Sequence, residues 1–545
     1  MGRTCLLVVS ATATLGVYGL YKIAGIVYRE WSSPLRVLPG TKNPSFIYGD
    51  LKELWEEEDK GTSGILVEKY GTTFRYKSLF GISRLYTTDT KALNHILMNS
   101  YDYEKLPESR VALTNILGAG LLVVEGDKHK QQRRIMNPAF GPAQIRELTD
   151  IFVRKSIQLR DLWAEECTKQ GGQGRIEILS WLSWTTLDVI GLAGFNYEFN
   201  ALMRDSKANE LSEAFNIIFQ AGTSVNVMLI LRAFIPALSW ILPEAGDAEA
   251  KKASLTMSRI GEELLSNSKA AVSQNESLEK DTWKTRDLLS LLVRANVATD
   301  LTESQQMLDE DVLAQIPTFI VAGHETTSNA TTWALFALSS QNPDAQTKLR
   351  NELLTVSTDN PTMDELNALP YLDAVVRETL RLHAPVSMTS RIAMKDDVLP
   401  LAVPFTDSKG VIHHEIRIRK GEPLLIPILA LNRDKSIWGE DAHEFRPERW
   451  ESTPDAASSI PGVWGHMLTF LGGPHSCIGY RFALVEMKAL LFTLIRSFEF
   501  ELAVPASDIG KKAGIVHRPI LLSNPEGGSQ MPLLVKAYQP PLEEP

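Results

Sequence analysis

The sequence predicts a mainly α protein with small β-sheets, carried behind an N-terminal transmembrane helix. Three observations lead there. Apolar residues recur at helical spacing over long stretches, at 145–163, 178–193, 308–340 and 478–498. Strand-like pieces are few and short, as at 73–77, 84–88 and 417–419. Residues 4–28 form an apolar run in which Lys22 is the only charge.

That run matches the length a bilayer demands, about 20 apolar residues for a helix. Arg3 precedes it, and Lys22, Arg29, Arg36 and Lys42 lie at or beyond its end. The excess of cations on that side places the body in the cytosol. The competing reading is a cleaved signal peptide, with Ala11-Thr12-Ala13 as the cleavage site. Against it, the apolar run continues past that site. The three cysteines, Cys5, Cys167 and Cys477, also cannot build a disulfide framework. Next comes Ser33-Pro34-Leu35-Arg36-Val37-Leu38-Pro39-Gly40, a stiff, non-helical connector. The expected organisation is an anchor at 1–30, a proline-containing hinge at 31–50 and one catalytic body at 51–545, with no convincing linker or repeat inside it. Residues 227–242 are unusually apolar, with Arg232 as their only charge. They read either as a buried helix pair or as a surface that dips into the membrane and admits an apolar substrate. The net charge of −10 argues against nucleic acid as a partner.

The chemistry concentrates at Phe470-Leu471-Gly472-Gly473-Pro474-His475-Ser476-Cys477-Ile478-Gly479. A single cysteine between glycines, with a helical run expected to start at Cys477, is what presents one thiolate to a haem iron. Glycines let backbone N–H groups approach the sulfur. A helix N-terminus stabilises the anion. A thiolate ligand donates electron density to iron and favours O–O cleavage. The alternative is a buried cysteine in a Gly-Pro turn.

Three further clusters accompany it. Ala322-Gly323-His324-Glu325-Thr326-Thr327 lies inside the longest helical run, although glycine there costs about 1 kcal/mol relative to alanine. Gly323 could clear room for a ligand, Thr326 could bond back to a carbonyl or hold a water, and Glu325 could relay protons. A small-residue packing groove between helices explains the same residues. Glu378 and Arg381 stand at i and i+3 on one helix face, and Arg449 downstream is their expected third member, bracing the core around the cysteine loop. Residues 126–134 form a dense basic stretch. It reads either as a solvated helix face or as a surface where Lys128, Lys130 and Arg134 attract an acidic electron donor. In the latter reading Arg133 would bind an internal carboxylate. His413 and His414 read as a plain loop. No glycine-rich dinucleotide fingerprint or phosphate loop occurs, so the chain is not expected to bind its own nicotinamide or flavin.

Together these residues resemble the cytochrome P-450 superfamily, and its fungal microsomal (class II) haem-thiolate monooxygenases in particular. The resemblance spans essentially the whole chain and implies the cytochrome P-450 fold. Phe470, Gly473, Cys477 and Gly479 match the haem-ligand loop, with Cys477 as the axial iron ligand. Ala322, Gly323, Glu325 and Thr326 match the oxygen-activation motif, with Glu325 and Thr326 as catalytic residues. Glu378, Arg381 and Arg449 match the structural Glu-x-x-Arg core and its partner. Arg133 matches a propionate-binding arginine, and Arg391 lies where another propionate contact is often found. Two positions depart from the pattern: His475 stands where most members have arginine, and His129 where many have tryptophan. The resemblance further implies haem b, O₂ and NADPH used indirectly through an NADPH-cytochrome reductase, with cytochrome b5 as a further donor. The implied location is the endoplasmic reticulum membrane. The substrate would be apolar and mid-sized, such as a terpenoid, steroid, fatty acid or aromatic, in a pocket including Leu122, Ala322, Val386 and Thr389. Rival readings are a haem-thiolate isomerase, dehydratase or peroxygenase, and a non-catalytic haem-binding sensor. The Glu325–Thr326 pair argues against both.

Overall fold

The computed structural model describes residues 14–539, apart from 15, 20, 22, 23, 26, 43, 44, 46, 57–61, 204–213, 215–246, 276–286, 298–305, 341 and 513. Most of the expected anchor and all of residues 227–242 therefore lie outside the described residues. The chain forms two compact units. One joins Met1–Glu104 to Met388–Ala430, and the other joins Lys105–Ser387 to Leu431–Pro545.

The first unit is built on a five-stranded sheet ordered Thr73–Lys77, Ser83–Thr87, Pro423–Ile426, Thr389–Ala393, Tyr103–Glu104. Only the Ser83–Thr87 and Pro423–Ile426 pair is parallel. Phe74, Tyr76 and Tyr86 are fully buried against the helix Leu51–Glu56, and the Phe74 and Tyr86 rings stack at 4.4 Å. The alternation of large apolar and polar residues along Thr73–Lys77 is what a sheet with one buried face requires. His413 lies on the strand Ile412–Ile418, where it meets Asp407 at 3.0 Å and stacks on Phe405. The loop expected there is a strand, paired with Asp397–Thr406.

The second unit is helical. Its axis is the helix Asp309–Ser340, here the long helix, with Asp309, Glu310 and Asp311 at its positive N-terminal end. The helix Ile178–Phe195 packs along it, capped by the Glu177 carboxylate, which accepts the N–H groups of Leu179 and Ser180. Among the described residues this is the only helix long and apolar enough to cross a membrane, but it is buried in the core. A helix that is apolar on every face can have this purely internal cause. The helix Pro142–Lys169 covers Tyr480–Ser497, which also meets the long helix. Two small sheets complete the unit: Gln173–Glu177, Pro532–Ala537 and Phe498–Leu502, and the pair Ile509–Lys512 with Arg518–Leu521.

Candidate active site

The cysteine loop is closed by its own backbone. The Cys477 N–H donates to the Phe470 carbonyl at 2.9 Å, and the Ser476 N–H to that of Gly473 at 3.1 Å. Two residues inside the loop take left-handed conformations, Leu471 at φ 53 and Gly473 at φ 70. A Cβ on Gly472 would fall 1.8 Å from the Pro461 carbonyl oxygen, so only glycine fits there. The helix after the loop begins at Tyr480, with Gly479 as its N-cap. That is three residues later than the start expected at Cys477, because residues 478–479 form a turn. The delay leaves Cys477 just ahead of the helix, where the Gly479 N–H donates to its sulfur.

Burial pushes the Cys477 thiol up, while the Gly479 N–H and the Arg133 charge pull it down. The side chain is nonetheless accessible at its tip. The two facts agree if the sulfur opens onto a recess set deep in the protein. Such a thiol ionises when a metal cation replaces its proton.

The helix Gly126–Met136 lies beside this loop. Arg133 donates to the Ser476 carbonyl at 2.6 Å and to its hydroxyl at 3.3 Å. The buried His129 ring stacks on His475, with centroids 3.9 Å apart. His475 Nε2 in turn meets Glu125 Oε2 at 3.1 Å. Glu125 also accepts the Lys105 ammonium at 3.1 Å and the Lys105 N–H at 3.0 Å. Burial pushes the Glu125 carboxyl up, but the His475 hydrogen bond and the Lys105 charge win and hold it at about 2. Burial, reinforced by the charges of His475 and Lys105, holds His129 down at about 3, which makes it a neutral imidazole at neutral pH. The basic stretch is two-sided. His129 and Gln132 turn inward, while Lys128, Lys130 and Arg134 face solvent.

On the long helix, the Thr326 hydroxyl donates to the Ala322 carbonyl at 2.8 Å, and the helix runs through without a bulge. Glu325 is buried and held by both guanidinium edges of Arg518, at 2.6 and 3.0 Å. His324 places its Nδ1 at 2.7 Å from the Ile320 carbonyl and its Nε2 at 3.6 Å from Glu325. Burial lowers the His324 pKa against the opposing pull of Glu325. Gly323 serves packing: a Cβ there would lie 2.8 Å from the Ile190 side chain on the neighbouring helix. No ligand space opens at that face.

Ala322 is exposed although Val321 and His324 beside it are buried. Leu122 is likewise 40 % exposed between buried Leu121 and Val123. The segment bearing Leu122 is tied to the long helix by the Leu121 N–H, which donates to Gln315 at 2.9 Å, about two turns before Ala322. Phe140 ties the cysteine loop to the same helix: its ring stacks on Phe319 at 5.4 Å and lies 3.8 Å from where a Gly479 Cβ would stand. Val386 is half-buried in the same unit. Thr389 and Arg391 belong to the other unit, where Arg391 donates to Thr389 at 3.0 Å and to the Ser390 carbonyl at 2.8 Å.

The Glu378 cluster is closed on every side. Arg381 forks onto Glu378 at 2.8 and 2.9 Å and donates onward to the Asn432 and Ala442 carbonyls. Arg449, Trp450 and the Arg446 N–H fill the remaining Glu378 lone pairs at 3.3, 3.1 and 3.0 Å. Asn432 carries the cluster to the cysteine loop, accepting the Leu468 N–H at 3.0 Å and donating to Thr469 at 2.8 Å. The sequence reading missed Arg518, Glu125, Lys105 and Asn432. Each acts across more than 15 residues of chain, and no local pattern signals such a pairing.

Comparison with known proteins agrees with this arrangement. Residues 39–523 match the cytochrome P450 family. The chain belongs to the cytochrome P450 family, and its class is that of the P450 monooxygenases. It is 53% identical to cytochrome P450 monooxygenase 205 of Postia placenta, over 97% of this chain and 98% of that one. It is 36% identical to cytochrome P450 monooxygenase claQ of Ampulloclitocybe clavipes, over 95% of this chain and 96% of the relative. It is also 33% identical to the ganoderic acid synthetase CYP5150L8 of Ganoderma lucidum, over 89% and 92%. Family membership implies haem, and the residues fit it. An accessible thiol with a helix N-terminus behind it is the donor, and Arg133, His129 and His475 supply the polar edge that a haem carboxylate needs.

Proposed function

We propose that this protein is a membrane-anchored haem-thiolate monooxygenase that inserts one oxygen atom from O₂ into an apolar small molecule. Electrons come from NADPH through a separate reductase, with cytochrome b5 as a further donor. The observation that carries this reading is the accessible Cys477 thiol, backed by the Gly479 N–H and tied through Phe140 to the helix bearing Ala322 and Thr326. Bound there, haem supplies the redox chemistry and O₂ activation that side chains lack. Cys477 would hold its iron. Phe470, Gly473 and Gly479 shape the loop, and Arg133, His129 and His475 are the groups for its carboxylates.

Thr326 holds the proton that matters, on Oγ1, directed at the Ala322 carbonyl. Rotation about χ1 frees that hydroxyl from the carbonyl. Glu325 is held by Arg518, so it positions charge behind Thr326. Leu122, Ala322 and Val386 exclude water from an apolar substrate. Exposed Lys130 and Arg134 suit an acidic reductase.

A secondary metabolite such as a terpenoid is the favoured substrate class, with a xenobiotic as the alternative. The likeness to a protein named for ganoderic acid synthesis supports it. Location in the endoplasmic reticulum membrane, single-pass with the body in the cytosol, rests on the apolar run and flanking cations of residues 3–42. The closed Glu325–Arg518 pair favours a second reading, a haem-thiolate isomerase, dehydratase or peroxygenase that needs no proton delivery. Turnover of an apolar extract separates the two. Product that requires both NADPH and reductase supports the monooxygenase; product formed with peroxide alone, or with no redox partner, supports the second.

A further inference from the structure

An open cleft of about 340 Å³ lies in the first unit, between residues 27–36 and the strand Thr73–Lys77 with the turn that follows it. Small-molecule sites begin at roughly that size, about 300 Å³. Its walls divide by chemistry. Val27, Trp31 and Phe80 form an apolar side, and Arg36, Arg75 and Lys77 supply cations. Glu30 is the only acid among the lining residues, and it is engaged by Lys77 and by both the N–H and the hydroxyl of Ser83.

Arg75 packs its side chain on Gly40 and also lines the cleft. Its Nε is buried and makes no hydrogen bond among the described residues. Buried guanidinium nitrogens are almost always partnered, and phosphate is a partner whose oxygens match the fork. Phe80 is equally unusual. It takes a left-handed conformation, φ 56, and its ring is left 37 % exposed. Large residues avoid that region of backbone space, and such strain collects at binding sites.

The surroundings indicate what kind of molecule would enter. The described residues from 14 to 32 are helical, and Val17, Tyr18, Tyr21, Val27, Tyr28 and Trp31 are all exposed. Tyrosine and tryptophan at the end of an apolar helix mark the level of lipid headgroups. Two more cations ring the same helix end: Arg29 donates to the Gly421 carbonyl at 2.7 Å, and Arg419 to the Ser32 hydroxyl at 3.0 Å. Clustered cations just beyond a membrane helix attract anionic lipid.

We propose that this cleft seats the headgroup of an anionic phospholipid, with Arg75 and Arg36 on the phosphate and with Trp31 and Phe80 against the glycerol and upper acyl chains. The inference rests on the membrane-anchored reading. A bound headgroup would fix the helix end against the sheet edge formed by Thr73–Lys77 and would hold the unit at one depth in the bilayer.

The test uses the full-length protein. Detergent-solubilised wild type, Arg75→Gln and Arg36→Gln are incubated with equimolar phosphatidylserine and phosphatidylcholine, and retained lipid is counted by native mass spectrometry. The wild type should retain one phosphatidylserine in preference to phosphatidylcholine. Each variant should retain about fivefold less, the loss expected for removing one cation near the headgroup. Equal retention of the two lipids, equal retention by variants and wild type, or displacement of the lipid by millimolar inorganic phosphate would overturn the proposal. Flotation with pure phosphatidylcholine vesicles separately tests the anchor. It should be unchanged in both variants, and its loss in the wild type would overturn the anchored reading alone.

Discussion

The Glu378 cluster and the cysteine loop sit in one unit, joined through Asn432, and are built on opposite plans. Around Glu378 and Arg381 no side-chain surface reaches solvent, and both Glu378 oxygens have their acceptor capacity filled. At Cys477 the backbone is equally closed, yet the sulfur tip is left accessible with a single N–H and a nearby guanidinium for company. Polar groups that hold a fold are saturated. A polar group kept for a ligand is left with capacity to spare. Arg75 belongs to the second kind, for the same reason.

Breaking the saturated cluster should have the largest effect on stability. Glu378→Ala leaves the fully buried Arg381 guanidinium without its carboxylate, which costs about 3–5 kcal/mol. Denaturant unfolding should show that loss, or soluble protein should fail to accumulate. A change under about 1 kcal/mol would mean that the cluster is not structural. Asn432→Ala is the intermediate case, because it removes the link and leaves the two ends intact. It should cost about 1–3 kcal/mol, from the unpaired Leu468 N–H, while the Thr469 hydroxyl keeps its bond to the Leu380 carbonyl. It should also speed haem loss to an acceptor apoprotein, and an unchanged haem-loss rate would break the proposed bracing.

Glu486 sharpens the comparison with the smallest expected effect. It is as buried as Glu378, but neither of its oxygens makes a well-formed hydrogen bond, and Thr327 is its nearest polar neighbour. Burial pushes its carboxyl well above the ordinary 4.5. Unfolding above pH 4.5 therefore releases a proton, so this group lowers stability progressively as pH rises from 4.5 towards its native value. Glu486→Gln should equal the wild type near pH 4.5 and gain in melting temperature as pH increases. A deficit of constant size at every pH would show instead that the carboxylate has a partner.

Much of this was legible in the sequence. The long helix begins at Asp309 against an expected 308, the strand Thr73–Lys77 is where alternation placed it, and the Glu378–Arg381 spacing announces a shared helix face. These signals are local, since period and spacing survive in a linear string. The two-unit division was not legible, because residues 388–430 return to a sheet begun at 73–87 and no linker marks the return. The Glu325–Arg518 pair spans 193 residues, and the reading of Glu325 as a free proton relay stands only where that pair opens. Gly323 was ambiguous for a physical reason: absence of a side chain serves helix packing and ligand clearance alike, and only Ile190 decides between them. The three-residue delay of the helix after Cys477 reflects a turn that periodicity cannot detect.

Oxygen tracing tests the central claim most directly. Wild type and Cys477→Ala, each supplied with reductase, NADPH and haem, would turn over an apolar extract under heavy-isotope O₂, with products read by mass spectrometry. The wild type should give a product carrying one heavy oxygen, and Cys477→Ala should give none. Unlabelled product from the wild type, or labelled product from Cys477→Ala, would contradict the assignment of Cys477 to a monooxygenase centre.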